Sequence, residues 1–184
     1  MELVQGTRDH LSSYVAALRA GWSADNVRGA TAAQEELLRI EADSDAFLAS
    51  LHDPEARGPP VTLPDGSRVH RIPGYRKWMW DGEFCGSIGL RWLPGTQDLP
   101  EHVLGHVGYA VVPWKQGRGY AKQALRTIAV EARALGLKHI DMTTDPDNIA
   151  SQRVMVACSA VLVERFRKPA AYGGTDGLRF RLVL

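Results

Sequence analysis

The sequence predicts an α+β fold in which a mixed, mostly antiparallel central sheet is flanked by helices and preceded by a helical N-terminal portion. Helical periodicity runs through most of the first 52 residues. Two β-rich runs then flank Asp81-Gly82, a dipeptide typical of a hairpin turn. From residue 102 the order is strand, helix, strand, helix, strand, strand. The strands flanking the first of these helices should be parallel, because a helix crossover joins them.

The N-terminal portion should contain three helical segments. Apolar residues between Leu11 and Leu18 recur at i, i+3, i+4 and i+7, which predicts an amphipathic helix that Gly21 ends. The run Thr31–Gln34 has the pattern of a capping box and predicts the start of a second helix. Ser44 is the expected cap of a third segment.

A proline-rich loop separates these helices from the sheet. Residues 53–74 hold five of the ten prolines, and Asp65-Gly66 predicts a short hairpin within them. The later elements are predicted as strands over 77–80, 84–93 and 102–112, a helix over 119–135, a strand over 138–143, a helix over 149–157, and strands over 161–167 and 178–183.

Length and composition favour one soluble domain over residues 1–184, with a helical and loop portion at 1–75 and a sheet core at 76–184. Of the 184 residues 45% are apolar, and the formal net charge of +1 gives no global field for nucleic acid or a membrane. The longest uncharged stretch, His102–Trp114, has 13 residues, fewer than the roughly 20 that span a bilayer. Without a signal-peptide pattern, and with only Cys85 and Cys158, we expect a cytoplasmic protein with reduced thiols.

A basic, glycine-rich turn at residues 113–119 links an apolar strand to a long helix. Such a turn offers several free backbone N–H groups beside the positive end of the helix dipole, a site for phosphate or pyrophosphate. A P-loop would need a Gly-Lys-Ser/Thr ending, which is absent. A dinucleotide fold would need Gly-x-Gly-x-x-Gly in a parallel unit, whereas antiparallel strands precede Gly117-x-Gly119-x-Ala121. The remaining interpretation is the pattern Gln-x-x-Gly-x-Ala after an apolar strand. The alternative to it is a plain helix-start turn with surface charges.

Two motifs in order carry a family resemblance. Gln116, Gly119 and Ala121 match the signature Arg/Gln-x-x-Gly-x-Gly/Ala, and Asn148 with Ser151 matches a second signature after the next strand. From about residue 78 to 184 the chain resembles the GNAT superfamily of acyl-CoA-dependent N-acetyltransferases. More narrowly, the segment Gly-His-Val-Gly-Tyr at 105–109 resembles a bacterial subgroup of predicted acetyltransferases with no common substrate.

The resemblance implies acetyl-CoA as co-substrate. Backbone N–H groups of residues 116–121 would hold the pyrophosphate, with charged contacts from Arg118 and Lys122. Pantetheine would lie beside residues 110–112, where an N–H would polarise the thioester carbonyl. Asn148 would contact pantetheine, and Ser151 the phosphate side. The cofactor-binding residues implied are Ala110, Val111, Val112, Gln116, Gly117, Arg118, Gly119, Tyr120, Ala121, Lys122, Asn148 and Ser151.

The expected reaction is direct attack of a neutral amine on the thioester in a ternary complex, which needs a base and an acid. Many family members place a Tyr seven residues after the Asn as the acid, but that position here is Met155. Tyr109 is the catalytic candidate for the acid, with Tyr172 or solvent as alternatives. His106 is the catalytic candidate for the base, and a core or subunit-contact histidine is the alternative. Weaker candidates for the base, expected to be solvated, are Glu101 and His102.

The acceptor is expected to be a small-molecule or peptide amine, and no metal, nucleic acid or membrane partner is predicted. His52 and His70 lack metal-ligand spacing. Four tryptophans could line an acceptor pocket, although core packing is favoured for most of them: Trp78, Trp80, Trp92 and Trp114. A homodimer is compatible with the resemblance. The competing hypothesis, which Met155 motivates, is a non-catalytic acyl-CoA sensor on the same fold.

Overall fold

The computed structural model describes residues 1–63 and 65–184. Its α-helices are α1 (Arg8–Arg19), α2 (Ala30–Ala42), α3 (Ser44–Ser50), α4 (Tyr120–Ala134) and α5 (Ile149–Val156). Its strands are β1 (Glu2–Val4), β2 (His52–Asp53), β3 (Val61–Thr62), β4 (Arg68–Val69), β5 (Gly74–Trp80), β6 (Phe84–Arg91), β7 (Val107–Val111), β8 (His139–Thr144), β9 (Val161–Arg167) and β10 (Asp176–Val183). The predicted α+β architecture with mostly antiparallel strands is confirmed.

Two antiparallel sheets meet near the middle of the chain. The first has the order β1-β5-β6-β7, with β2 also pairing with β5, and the second has the order β8-β10-β9. The strands flanking α4, β7 and β8, therefore lie in different sheets rather than in the expected parallel ladder. They are tied together by the His106 N–H, which donates to the Asp141 C=O at 2.7 Å. No ladder joins β7 and β8 in the described residues, and the space between them is called the gap below.

His106 also explains why β7 is shorter than the predicted strand over 102–112. A regular strand residue points its N–H and C=O to the same neighbour. His106 instead donates to Asp141 on one side and accepts from the Arg91 N–H at 2.9 Å on the other. The regular strand consequently begins only at Val107.

Helices cover both faces of the first sheet. The buried stripe of α4 packs with Met79, Ile88 and Leu90 in one hydrophobic cluster. The N-terminal helices pack against the opposite face, where Tyr14 stacks on Trp78 with ring centroids 4.4 Å apart. The period-two alternation of β5 and β6 thus divides their side chains between two cores.

The N-terminal expectations need three corrections. Helix α2 begins at Ala30 after Gly29, whose φ is +47°, so the capping box is not at residues 31–34. A capping box instead joins Thr7 and His10 at the start of α1. The cap of α3 is Asp43 rather than Ser44, because the Asp43 carboxylate accepts the Ala46 N–H at 2.9 Å.

The first strand, β1, was not predicted, because three residues are too short for a periodic signal and pair only with the distant β5. The hairpins expected at Asp81-Gly82 and Asp65-Gly66 are both present, as β5–β6 and β3–β4. Pro64 lies outside the described residues. Among the helices described, none is long and apolar enough to cross a bilayer.

Candidate functional site

The glycine-rich turn before α4 forms a cradle of backbone donors. Gly117 and Gly119 have φ of +76° and +79°, a conformation that side-chain-bearing residues rarely adopt. Gly119 is the N-cap of α4, so the first N–H groups of the helix have no intrahelical acceptor. Within the described chain, the backbone N–H groups of residues 117–122 all lack a protein acceptor. Together with the dipole of a 15-residue helix, they make this turn a candidate anion site.

A buried lysine anchors this cradle to the β5–β6 hairpin. Lys115 is only 7% exposed, and its Nζ lies 3.1 Å from both carboxylate oxygens of Asp81 and 2.5 Å from a Glu83 oxygen. The Tyr120 O–H donates to Asp81 at 2.5 Å. This hydrogen bond, aided by Lys115, holds the pKa of Asp81 well below its usual range. The side chains of Lys115 and Tyr120 therefore hold the turn against the β5–β6 hairpin, while the backbone N–H groups of the turn stay free.

Sequence reasoning missed the anchor. The Asp81-Gly82 signal was assigned to the hairpin turn alone, and nothing local relates Asp81 to residues 115–120. Tyr120, predicted to bind the cofactor, contributes its side chain to the anchor, and its backbone N–H remains in the cradle. Arg118 and Lys122 are exposed, with no carboxylate within 4 Å among the described residues, so both charges are available to a ligand.

Strand β7 directs backbone groups into the gap between the sheets. The Val112 N–H donates to the Cys85 C=O of β6 at 3.0 Å. Alternate residues point to opposite neighbours, so the N–H and C=O of Val111 face away from β6, toward the gap. The side-chain amide of Gln116 donates to that C=O at 3.4 Å. Among the predicted residues 110–112, Val111 is thus the one whose N–H can reach a group in the gap.

Tyr109 crosses from β7 to the start of α5. Its hydroxyl oxygen lies 2.9 Å from the Ser151 Oγ, and the O–H also reaches the Ser151 C=O at 3.2 Å. Asn148 caps α5 by accepting the Ser151 N–H at 3.0 Å. Burial raises the pKa of Tyr109 to about 12, so its hydroxyl stays protonated at neutral pH. The structure therefore brings Tyr109, Asn148 and Ser151 together, whereas Met155 is fully buried in the core.

His106 lies at the fork, the point where the two sheets meet, and away from the group formed by Tyr109, Asn148 and Ser151. Its ring is 1% exposed, and Nδ1 accepts the Asp141 N–H at 3.0 Å. The proton of the neutral ring is therefore on Nε2, a buried atom without a hydrogen-bond partner within the described residues. Burial lowers the pKa of His106 to about 4, so the ring is neutral at neutral pH. The two predicted catalytic residues thus differ in their surroundings: Tyr109 contacts the start of α5, whereas His106 is buried where the two sheets meet.

A cavity of about 360 Å³ lies on the face of the first sheet that carries α2 and α3. Its floor is formed by residues 74–76 of β5 and 89–91 of β6. The remaining lining residues are Glu36, Arg39, Ser50, Leu51, Asp53, Val61, Leu63, Val69, His70, Arg71, Ile72, His102, Val103 and Tyr172. This list includes His102 and Tyr172, the weaker candidates for the base and acid.

Two of the four tryptophans are buried in the hydrophobic clusters. Trp78 is fully buried and Trp92 is 7% exposed, both in hydrophobic clusters. Trp80 is partly buried beside His10, and Trp114 is 48% exposed beside the cradle. None of the four is among the residues described as lining the cavity. Over residues 1–63 and 65–184, no group of three His, Cys, Asp or Glu side chains is placed to hold a metal ion.

Comparison with known proteins agrees with the geometry. The sequence model of the family described as Acetyltransferase (GNAT) domain matches residues 36–161. The FsC-acetyl coenzyme A-N(2)-transacetylase of Aspergillus fumigatus is 31% identical over a match of 153 residues, and the match covers 73% of this chain and 65% of that protein. The chain thus spans slightly less than two thirds of this relative's length.

Two solved structures share the fold. One is RimL, the ribosomal L7/L12 alpha-N-protein acetyltransferase in complex with coenzyme A, with a TM-score of 0.61, 12% identity, and coverage of 99% of this chain and 93% of that chain. The other is the microcin C7 self-immunity acetyltransferase MccE in complex with acetyl-CoA and AMP, with a TM-score of 0.60, 13% identity, and coverage of 99% and 91%. At these identities the likeness concerns the fold.

Proposed function

Because the chain belongs to the GNAT acetyltransferase family, we propose that it transfers an acetyl group from acetyl-CoA to an amine. One observation carries the proposal: the backbone N–H groups of residues 117–122 are unpartnered at the start of α4. Six such donors in one continuous segment at a helix N-terminus suit a pyrophosphate.

The residues of this chain fit acetyl-CoA along its length. The cradle, Arg118 and Lys122 would hold the phosphates, while the gap beside Val111 would accept pantetheine. At the start of α5, Asn148 would contact the pantetheine arm and Ser151 the phosphate side. When bound, acetyl-CoA supplies the activated acetyl thioester. A backbone N–H has a fixed position and needs no reorientation, so the Val111 N–H would stabilise the negative charge that develops on the carbonyl oxygen.

For proton transfer we propose Tyr109 as the acid for the leaving thiolate. Its hydroxyl is protonated at neutral pH and borders the gap through its contact with Ser151. The catalytic assignment of His106 stays a prediction, and its burial and its bond to Asp141 favour a positioning role at the fork. His102, on the cavity wall, is then the better-placed candidate for the base that takes the amine proton.

The cavity is proposed as the acceptor site, shaped mainly by residues 1–75 as part of a single domain. The fungal relative's name specifies an N(2)-transacetylase, and the acceptor proposed here is a small-molecule or peptide amine. We also propose a cytoplasmic, bacterial homodimer. The edge strand β9 supports the dimer, since Val161, Leu162 and Val163 are 58%, 43% and 45% exposed.

The competing proposal is a sensor that binds acetyl-CoA without catalysis, and the buried Met155 at the usual acid position favours it. The two are separated by measuring free CoA thiol released from acetyl-CoA with and without an amine panel. The transferase requires amine-dependent release and an acetylated product detectable by mass spectrometry. Saturable acetyl-CoA binding without amine-dependent release would leave the sensor as the better description.

A further inference from the structure

The acceptor cavity contains a guanidinium group without a protein counter-ion. Arg91, the last residue of β6, forms part of the cavity floor. Within the described chain its side chain has no carboxylate within 4 Å and makes no hydrogen bond, whereas thirteen other ion pairs are formed. Burial lowers the pKa of Arg91, and Tyr172 is the nearby group that opposes this shift. Arg91 is partly buried, and a cation that loses part of its hydration without gaining a counter-ion is unfavourable, so such a group suggests a ligand.

The charges around the cavity do not balance. Four guanidinium groups line it, but only two carboxylates, those of Glu36 and Asp53. Glu36 binds Arg76 at 2.8 Å, and Asp53 lies 3.6 Å from Arg71. Both carboxylates are thereby engaged, which leaves an excess of two positive charges. The cavity is therefore suited to an anion.

Of the two remaining arginines, Arg39 is partly satisfied and Arg91 is not. The Arg39 guanidinium donates to the Ser50 Oγ at 2.7 Å and lies over the Phe47 ring, 5.3 Å from its centroid. Arg91 has no comparable contact among the described residues. A ligand anion would consequently gain most from Arg91.

Arg91 also lies close to the expected reaction centre. Gly89 and Gly108 are partners across β6 and β7, so neither of them contributes a side chain to this face of the sheet. A Cβ placed on Gly108 would lie 3.2 Å from an Arg91 Nη atom, so the guanidinium rests over β7. Gly108 precedes Ala110 by two residues, about 7 Å along a strand. An acceptor held by Arg91 would therefore reach the thioester segment with a short spacer.

We propose that the acceptor is an amine that also carries a free carboxylate, as an amino acid does, and that Arg91 binds this carboxylate. The inference rests on the proposed acetyltransferase function and deepens it. A bidentate guanidinium–carboxylate pair would fix one end of the acceptor, and the amine would point toward β7. Arg91 is thus a specificity-determining residue that contacts the acceptor.

The test compares amino acids with their amides. L-Ornithine, L-phenylalanine and β-alanine are each assayed beside the corresponding carboxamide, with benzylamine as a reference amine that has no carboxylate. The ratio of kcat/KM for acid over amide is measured in the wild type, Arg91→Met, Arg91→Lys and the exposed control Arg133→Met. Differences in amine basicity cancel when this ratio is compared between variants.

We expect Arg91→Met to lower the acid-over-amide ratio roughly ten- to a hundredfold, mainly through KM of the acid. Arg91→Lys should retain part of the preference, and Arg133→Met all of it. The acids should also raise the melting temperature of the CoA-bound wild type but not of CoA-bound Arg91→Met. Because the substitution removes an unpaired cation, unliganded Arg91→Met should be no less stable than the wild type.

The inference is overturned if Arg91→Met leaves the ratio within twofold of the wild type, or if it slows both members of each pair equally. It is also overturned if benzylamine or the amides are acetylated and no acid is. These outcomes leave the proposed acetyltransferase function intact. That function fails separately, if acetyl-CoA neither stabilises the protein nor is consumed with any amine.

Discussion

The cofactor cradle and the acceptor cavity are built on different principles. The cradle uses backbone N–H groups from one continuous segment, residues 117–122, at the start of a helix. The cavity uses side chains that come from positions as distant as Glu36 and Tyr172. A backbone site needs glycines at fixed spacing and leaves a motif, whereas a side-chain site can be assembled from any part of the chain. The sequence therefore predicts the part of the site that would bind the common co-substrate. It does not predict the part that would select the acceptor.

The two candidate acids, Tyr109 and Tyr172, test most sharply whether cofactor chemistry and acceptor recognition belong to different parts of the site. Tyr109→Phe should lower kcat about a hundredfold, because the thiolate loses its proton donor, with little change in the Kd of acetyl-CoA. Tyr172→Phe, which alters the cavity wall, should change mainly KM of the amine. Stopped-flow or steady-state thiol release measures both. Equal effects of the two variants on kcat would contradict the assignment of Tyr109.

The anchor beneath the cradle is predicted to contribute to stability. Lys115→Met leaves Asp81 and Glu83 beside an apolar side chain, which should lower the free energy of unfolding by about 2–3 kcal/mol. The exposed Lys138→Met serves as the matched control and should stay within about 0.5 kcal/mol of the wild type. Urea denaturation followed by tryptophan fluorescence gives both values. If the two variants are equally stable, Lys115 does not hold the turn in place.

His106 should make stability depend on pH. The folded state lowers its pKa to about 4, below the unfolded value of 6.5, so the unfolded chain binds the extra proton first. The associated stability is complete above pH 6.5 and is lost as the pH falls toward 4. Between pH 7.5 and 5.0 the wild type should lose about 2 kcal/mol more than His106→Asn. Asn is chosen because its Oδ1 can still accept the Asp141 N–H.

Urea unfolding of both proteins at the two pH values measures this difference. Titration of other residues cancels, because the two chains share them. A loss of stability that is the same in both would mean that His106 titrates normally. His106 would then remain available as a base, and the proposed positioning role would be wrong.

The smallest expected effect comes from the exposed cations of the cradle. Arg118→Met and Lys122→Met should each weaken acetyl-CoA binding only about three- to tenfold, because exposed charges are screened by solvent. The loss should shrink at 0.5 M salt. Isothermal titration calorimetry at low and high salt distinguishes this from a steric change, which would not depend on salt. A much larger loss would mean that side chains, rather than the backbone, dominate the cradle.

Local signals in the sequence sufficed for most elements and for the cradle. The hairpin at Asp81-Gly82 and helix α4 follow from short-range turn chemistry and periodicity, and both are confirmed. The separation of β7 from β8 could not be foreseen, since no local signal relates these strands, which are joined through His106 and a residue 35 positions away. The helix caps at Gly29 and Asp43 were misplaced by one or two residues, where neighbouring polar and small residues compete for the same role.

The side-chain contacts around the site were beyond sequence reasoning. Lys115 gave no signal of burial, because its counter-ions Asp81 and Glu83 belong to another hairpin. Arg91 was similarly inconspicuous, since an arginine at the end of a strand is ordinarily solvated. Its meaning depends on which carboxylates the fold leaves for it, and only the assembled cavity reveals that.

The central claim, that backbone N–H groups before α4 hold acetyl-CoA, is tested most directly by the Kd of acetyl-CoA for Gly119→Trp and Gly136→Trp. Both glycines have positive φ and open space around them, at opposite ends of the same helix, so the backbone strain is matched. We predict wild-type affinity for Gly136→Trp and at least a hundredfold loss for Gly119→Trp, whose indole would cover the donors. Equal affinity of the two variants would contradict the claim.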